Sequence, residues 1–191
     1  MEKVLTLVDQ AIIFAAKAHA GAVRKGSKVP YIVHPIEAAA IVAGMTDDPE
    51  VIAAAVLHDV LEDTETTEEE LLARFGHRVK ELVMDASEDK RKHLPASLTW
   101  KTRKQETLTF LETRAGRDAK MVALGDKLSN LRAIHRDLCM LGDAVWDRFN
   151  EKDKSMLAWI YRAVAEILKE DFGGHPAWKE YDCLVRTVFG G

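Results

Sequence analysis

Pro49-Glu50-Val51-Ile52-Ala53-Ala54-Ala55-Val56-Leu57-His58-Asp59-Val60-Leu61-Glu62-Asp63 is the stretch from which the rest of the 191-residue chain can be read. Asp48 and Pro49 open a helix, because proline's fixed φ and missing N–H lose nothing at the first helical position. Val51 to Leu57 is the longest apolar run. It reads as a buried helix and falls far short of the roughly 20 residues that a membrane span needs. His58 and Asp59 then stand side by side, and Glu62 and Asp63 follow four residues later. A helix continuing through Leu61 would stack His58 over Glu62 and Asp59 over Asp63 on one face. Such a cluster on a buried helix is costly without compensation, which raises the question of what it binds.

Working outward, helical periodicity covers residues 3 to about 19 through Val4, Leu7, Val8, Ala11, Ile12, Ala15 and Ala18. A glycine-flanked basic loop follows, and Pro35 suits the first position of a helix running to about Ala43. Thr67 and Glu70 form a capping-box pattern for a helix ending near Gly76, and the glutamates of its first turn complement the helix dipole. A further helix spans about His77 to Ser87. Residues 88–98 are a polar connection containing Pro95, and helix formers resume from Trp100 to Thr113. After the break at Ala115-Gly116 come Ala119 to Cys139, an interruption at Gly142, Lys152 to Lys169, a stop at Gly173-Gly174, and a last short helix from Pro176 to Val188. No period-2 run of β-branched residues stands between turns, so the expected fold is all-α, a single-domain bundle of about eight to ten helices.

Apolar residues make up 47% and charged residues 30%, an ordinary globular composition that argues against disorder. Lys and Arg number 27 against 31 Asp and Glu, a net charge of -4, which is the wrong sign for a chain-wide binder of nucleic acid or anionic membrane. A local basic pocket is still compatible with that balance. Cys139 and Cys183 have no zinc-finger or CxxC spacing, so a reducing, cytoplasmic setting fits best.

Two more residues give the His58-Asp59 pair chemical meaning. His34 precedes Pro35, which biases it away from the α-helical region, so its imidazole is expected to project from a turn. Asp126 is an acid inside an otherwise apolar helical stretch, with Asn130 one turn on. Two imidazoles and two carboxylates form a mixed nitrogen and oxygen set suited to Mn²⁺, Fe²⁺, Mg²⁺ or Zn²⁺. Four protein ligands leave room on a six-coordinate ion, and a nearby carboxylate outside the set can orient water or take its proton.

The order His34, His58-Asp59, Asp126 resembles the signature of the HD-domain metal-dependent phosphohydrolases. More narrowly, His19-Ala20-Gly21-Ala22-Val23-Arg24-Lys25-Gly26, Pro30-Tyr31-Ile32-Val33-His34-Pro35, His58 to Thr64 and Gly125-Asp126-Lys127-Leu128-Ser129-Asn130-Leu131 resemble the hydrolase domain of the RelA/SpoT alarmone enzymes. The resemblance covers about residues 3–170, leaves 171–191 as a C-terminal helical extension of one domain over 1–191, and includes no synthetase domain. Within that group the chain is most similar to the small alarmone hydrolases, which include the metazoan SpoT homologue.

The resemblance implies an all-helical domain that uses one Mn²⁺, or another divalent ion, to remove the 3′-pyrophosphate of ppGpp or pppGpp, giving GDP or GTP. It implies His34, His58, Asp59 and Asp126 as metal ligands, and Glu62 and Asp63 as the residues that position and activate the attacking water. Arg24 and Lys25 match the basic pair placed beside the nucleotide, and Asn130 matches a ribose or phosphate contact. Lys101 and Arg103, in Trp100-Lys101-Thr102-Arg103-Lys104, resemble a cationic stretch of the small hydrolases, and Arg148 falls where a nucleotide contact is expected. Two departures stand out: Ala22 replaces a usual glutamine, and Gly125 replaces the alanine before the last aspartate. The expected partner is a small nucleotide, with neither nucleic acid nor membrane. The competing readings are an HD phosphohydrolase for a deoxynucleotide or NADPH, and a nucleotide-sensing module without turnover. His19, though part of the first motif, reads as a satisfied structural group, and Trp146, Phe149, Trp159 and Tyr161 read as core.

Overall fold

Small apolar residues decide the architecture. Ala53, Ala54, Ala55 and Leu57 have no exposed surface, so the helix that carries them can be approached closely from several sides. In a computed structural model, which describes residues 4–91 and 93–190, that helix is α3 (Pro49–Leu57), packed against α1 (Leu7–Ala18), α2 (Val33–Ala43), α5 (Glu68–Ala86) and α7 (Arg117–Leu141). The sequence expectations at residue 3, at Lys92 within the 88–98 connection and at the ends of 1–191 lie outside the described residues there. The remaining elements are α4 (Val60–Asp63), α6 (Ala96–Thr113), a 3₁₀ segment at Gly142–Arg148, α8 (Lys154–Phe172) and α9 (Pro176–Phe189). Among the described residues the β-type pairing is an isolated bridge, Val23 with Pro30, so this is one all-α domain.

Several boundaries differ from the sequence reading, each for a local reason. The helix expected to run through Leu61 breaks at His58 and Asp59, where Asp59 has φ -97 and ψ -5, and restarts as the single turn α4. α2 begins at Val33, so Pro35 is its third residue; its missing N–H is still one of the first-turn donors that have no partner. His34 therefore sits on the first helical turn of α2 rather than on a turn before it. At Thr67 the side chain accepts from Glu70 N at 3.2 Å, while a reciprocal capping box closes at Thr6 and Asp9. The break at Gly76 is real: its φ is 83, and α5 bends there.

Two close approaches position the functional residues. Gly125 lets α7 press against α2, since a Cβ there would lie 2.8 Å from Ala38 O and 2.8 Å from Val42 Cγ2. That explains why glycine rather than alanine precedes Asp126 in this chain. Between α1 and α2 the loop folds back on itself, with Arg24 N donating to Val29 O at 2.8 Å and Tyr31 N to Ala22 O at 2.9 Å. Gly26, at φ 78, turns this loop, and a Cβ there would lie 3.0 Å from Arg148 Cδ. α9 packs on α7 and α8, joining the far end of the chain to the helix that bears Asp126.

Candidate metal centre and its two cavities

The break after α3 is tied to the His58 side chain. Its Nδ1 lies 2.8 Å from Ala55 O, a carbonyl that can only accept, so Nδ1 carries a proton. In an unbroken helix the Ala55 carbonyl would receive Asp59 N–H; with the imidazole there instead, the chain turns and Asp59 swings beside His58. His58 Nε2 is thereby turned inward, 3.0 Å from Asp59 Oδ2 and 3.6 Å from Asp126 Oδ1.

His34 enters from α2 and Asp126 from α7. His34 Nε2 lies 3.2 Å from Asp126 Oδ1 and 3.5 Å from Asp59 Oδ2, while its Nδ1 is 2.8 Å from Ser129 Oγ. One donor atom each from His34, His58 and Asp126 lies within 4.8 Å of the others, and Asp59 faces both imidazoles. Asp59 also accepts from the Tyr31 hydroxyl at 2.7 Å, and Asp126 accepts from Lys127 Nζ at 2.6 Å and Asn130 Nδ2 at 2.5 Å.

Charge in this cluster is held by neighbours. Burial opposes an ionised Asp126, but Lys127 and the two imidazoles outweigh it and keep the carboxyl well below the usual range. Asp59 is likewise held low, with burial outweighed by the two imidazoles. His58 Nε2, on a residue 2% exposed, has no hydrogen-bond partner among the described residues although carboxylates stand beside it. An orphaned imidazole nitrogen facing ionised carboxylates and a second imidazole is a donor set for a divalent cation, and the residue types fit one.

Glu62 and Asp63, on the turn of α4, stand next to this centre without belonging to the three-residue cluster. Burial pushes the Glu62 carboxyl up, with Lys90 opposing. Lys90 Nζ is 3.2 Å from Glu62 Oε1 and also donates to Asp63 Oδ1, while Tyr31 Oη reaches Asp63 at 3.2 Å. Both acids open into a cavity of about 490 Å³ walled by Asp59, Asp126, Arg103, Lys104, Lys127 and Asn130 among others. Glu88 organises the cations of that wall: it accepts from Arg103 at 3.0 Å, Lys104 at 2.6 Å and Thr107 at 2.9 Å.

A second cavity, about 460 Å³, opens on the other side of His34 and contains Arg24, Lys25, Arg148, Tyr31, Phe149 and Tyr161. Arg24 donates to Asn130 Oδ1 at 2.7 Å and lies over the Tyr31 ring; Lys25 donates to Asn150 at 2.8 Å; Arg148 donates to Asp137. Tyr31, His34 and Asn130 line both cavities. A larger open groove of about 820 Å³ between α1 and α5 meets the centre only through Asp63 and lacks both imidazoles.

The structure thus brings His34, His58, Asp59, Asp126, Glu62, Asp63, Arg24, Lys25, Asn130, Arg103 and Arg148 around one centre, whereas Lys101 is exposed on α6 and lines neither cavity. Lys104, Lys127, Tyr31, Ser129, Lys90 and Glu88 belong to the site as well and were not singled out from sequence. Tyr31, Lys104, Lys127 and Ser129 lie within the quoted motifs, whereas Glu88 and Lys90 lie in the connection after α5, outside any motif; the i,i+3 and i,i+4 spacing of Arg103, Lys104 and Thr107 along α6 was the available signal there. His19 is buried with Nε2 lacking a hydrogen-bond partner among the described residues, its ring 4.8 Å from that of Tyr31, so it is not the satisfied group expected. Trp146 is buried as expected, and Phe149, Trp159 and Tyr161 are partly buried against the core, with Phe149 and Tyr161 also lining the second cavity.

Fold and site define an all-helical protein with a histidine and aspartate cluster whose donors fit a divalent cation. The profile described as HD domain matches residues 11–150, and the chain belongs to the HD-domain family. It is 39% identical over 130 residues to the Danio rerio guanosine-3′,5′-bis(diphosphate) 3′-pyrophosphohydrolase MESH1, covering 66% of this chain and 68% of that one. Against the Homo sapiens MESH1 it is 40% identical over 131 residues, covering 66% and 69%. A GTP pyrophosphokinase of Myxococcus xanthus is 33% identical over 132 residues, 68% of this chain but only 17% of that much longer protein. Among solved structures, a metazoan orthologue of SpoT described as hydrolysing ppGpp superimposes over both whole chains with a TM-score of 0.78 at 23% identity, a likeness of fold. A Listeria monocytogenes protein matches with a TM-score of 0.72 at 29% identity over 83% of this chain and 99% of the other.

Proposed function

We propose that the protein is a metal-dependent guanosine-3′,5′-bis(diphosphate) 3′-pyrophosphohydrolase that converts ppGpp or pppGpp and water to GDP or GTP and pyrophosphate, as the names of its similar relatives indicate for those proteins. The observation that carries this reading is a cation-ready cluster of His34, His58, Asp59 and Asp126 lying between two cavities, one cationic through Arg24, Lys25, Arg136 and Arg148, the other holding Arg103, Lys104 and Lys127 among a majority of acids. Mn²⁺ is the proposed ion. When bound, it would polarise a phosphoryl oxygen and make a neighbouring water more acidic.

This chain's residues supply the rest. Glu62 and Asp63 orient the attacking water, and Glu62, its carboxyl pushed up by burial, is suited to take the water's proton. The bond that breaks joins the 3′-oxygen to phosphorus, and the 3′-oxygen leaves with a proton. Lys104, Lys127 and Arg103 face the pyrophosphoryl group from the 490 Å³ cavity. In the 460 Å³ cavity Tyr31, Phe149 and Tyr161 supply aromatic wall for the nucleoside, while Arg24, Lys25 and Arg148 neutralise the 5′-phosphates. Asn130, between the cavities, is placed to meet the ribose. Lys101 has no part in this pose.

Chain 1–191 is read as one functional domain. A cytoplasmic location belongs to the same reading, supported by two free, exposed cysteines; among the described residues no helix is long and apolar enough to cross a membrane. Steady-state hydrolysis of ppGpp with product separation tests the proposal. Release of pyrophosphate is expected; inorganic phosphate from NADPH or a deoxynucleotide, with ppGpp untouched, would favour a different substrate, and tight ppGpp binding without turnover would favour a sensing role.

A further inference from the structure

The two imidazoles of the centre are held in different ways. His58 Nδ1 is fixed by a backbone carbonyl, whereas His34 Nδ1 meets a side chain, Ser129 Oγ, at 2.8 Å. Ser129, 1% exposed, donates its single hydroxyl hydrogen to Glu37 Oε2 at 2.8 Å. A hydroxyl whose hydrogen is spent in this way can only accept from His34, which places the proton on Nδ1 and leaves the Nε2 lone pair facing Asp59 and Asp126. Glu37 is in turn steadied by Arg132 Nη1 at 3.2 Å, and Arg132 forks onto Glu180 of α9 through Nε at 2.6 Å and Nη2 at 2.7 Å. Such a fork fixes the guanidinium plane as well as its position. Glu180 lies beyond residues 11–150, the part of the chain that the family profile matches.

We infer that Glu180, Arg132, Glu37 and Ser129 form a relay of positioning residues through which the C-terminal helix sets the tautomer and orientation of His34, and hence metal affinity. The inference rests on His34 being a metal ligand. Partners that hold the second nitrogen of a ligating histidine typically contribute about 10–100-fold to metal affinity. Ser129, which is buried and meets His34 directly, and Glu37, which takes its hydroxyl hydrogen, carry most of the effect. Arg132 and Glu180, further along the relay and 36% and 41% exposed, contribute a few-fold, the scale of a solvent-screened ion pair.

The test uses the full chain stripped of metal, with Mn²⁺ affinity measured by competition with a chelating dye and the His34 tautomer read in the metal-free protein by long-range ¹H–¹⁵N correlation. Ser129→Ala and Glu37→Gln should weaken Mn²⁺ binding about 10-fold or more, Glu180→Ala a few-fold, and Ser129→Ala should remove the Nδ1–H pattern of His34. Should Ser129→Ala fold poorly, the partly exposed Glu37→Gln and Glu180→Ala variants carry the test. Wild-type affinity in these variants, with an unchanged His34 pattern, would overturn the relay. His34→Ala separates the two readings: if it binds Mn²⁺ as the wild type does, His34 is not a ligand, while the tautomer measurement still decides whether the relay holds the ring.

Discussion

Glu62 illustrates how position assigns chemistry at the residue scale. It stands beside the metal cluster yet outside it, opens into the 490 Å³ cavity, and has its carboxyl pushed up by burial. Glu62→Gln should therefore leave Mn²⁺ affinity within a few-fold of wild type while lowering kcat by about 10²–10⁴, the usual contribution of a general base. Parallel metal analysis and kinetics check this, and an unchanged kcat would remove Glu62 from the reaction. Lys104 makes a prediction about pH. Burial and the neighbouring Lys127 push its ammonium below the usual lysine range, outweighing Glu88. Such a lysine loses its charge at a lower pH than an ordinary one, so KM for ppGpp should climb as pH rises through that lowered value. Lys104→Arg, which keeps its charge there, should flatten that rise in a KM-against-pH series. The candidate metal ligands were legible in sequence because few residue types bind such ions and their order along the chain resembles a known one. Lys104, Lys127 and Ser129 were not, because a lysine or serine in a helix reveals its use only when the facing helix is known.

Helix packing carries the next level of the account. Helix existence was readable from periodicity and from Pro49, Gly76, Gly142 and Pro176, and the observed elements lie where these residues place them. The break at His58-Asp59 was not readable, since apolar spacing continues straight through it and only the His58 contact with Ala55 O ends the helix. Residues 142–148, taken from sequence as an interruption, form a 3₁₀ turn that brings Arg148 against Gly26. Gly125 is the sharpest test at this scale. Adding a Cβ would force α7 away from α2 by contact with the Ala38 carbonyl and Val42. Gly125→Ala should cost about 1–3 kcal/mol in denaturant unfolding, as overpacking does, and should weaken Mn²⁺ binding because Asp126 is the next residue. A variant as stable and as tight-binding as wild type would show that the α2 and α7 contact has slack.

For the whole molecule, the candidate metal centre joins helices distant in sequence: α2 supplies His34, the end of α3 His58 and Asp59, and α7 Asp126. A cation that holds all three elements binds only the folded state. Mn²⁺ at 100 times its Kd should stabilise the protein by about 2.7 kcal/mol, about 5–10 °C in Tm for a domain of this size. Asp126→Ala should lose that shift, and differential scanning fluorimetry with and without Mn²⁺ reads both. The 460 Å³ cavity, with Arg24, Lys25, Arg136 and Arg148, suits an anionic end of a ligand, and on the other side of the centre Arg103, Lys104 and Lys127 offer cations among the acids, which links this architecture to the proposed substrate. The most direct measurement is to incubate metal-stripped protein with ppGpp, with and without Mn²⁺, and to separate the products by ion-exchange chromatography. GDP and pyrophosphate in equal amounts, formed only with Mn²⁺, is the predicted result; ppGpp left intact in the presence of Mn²⁺ would contradict it.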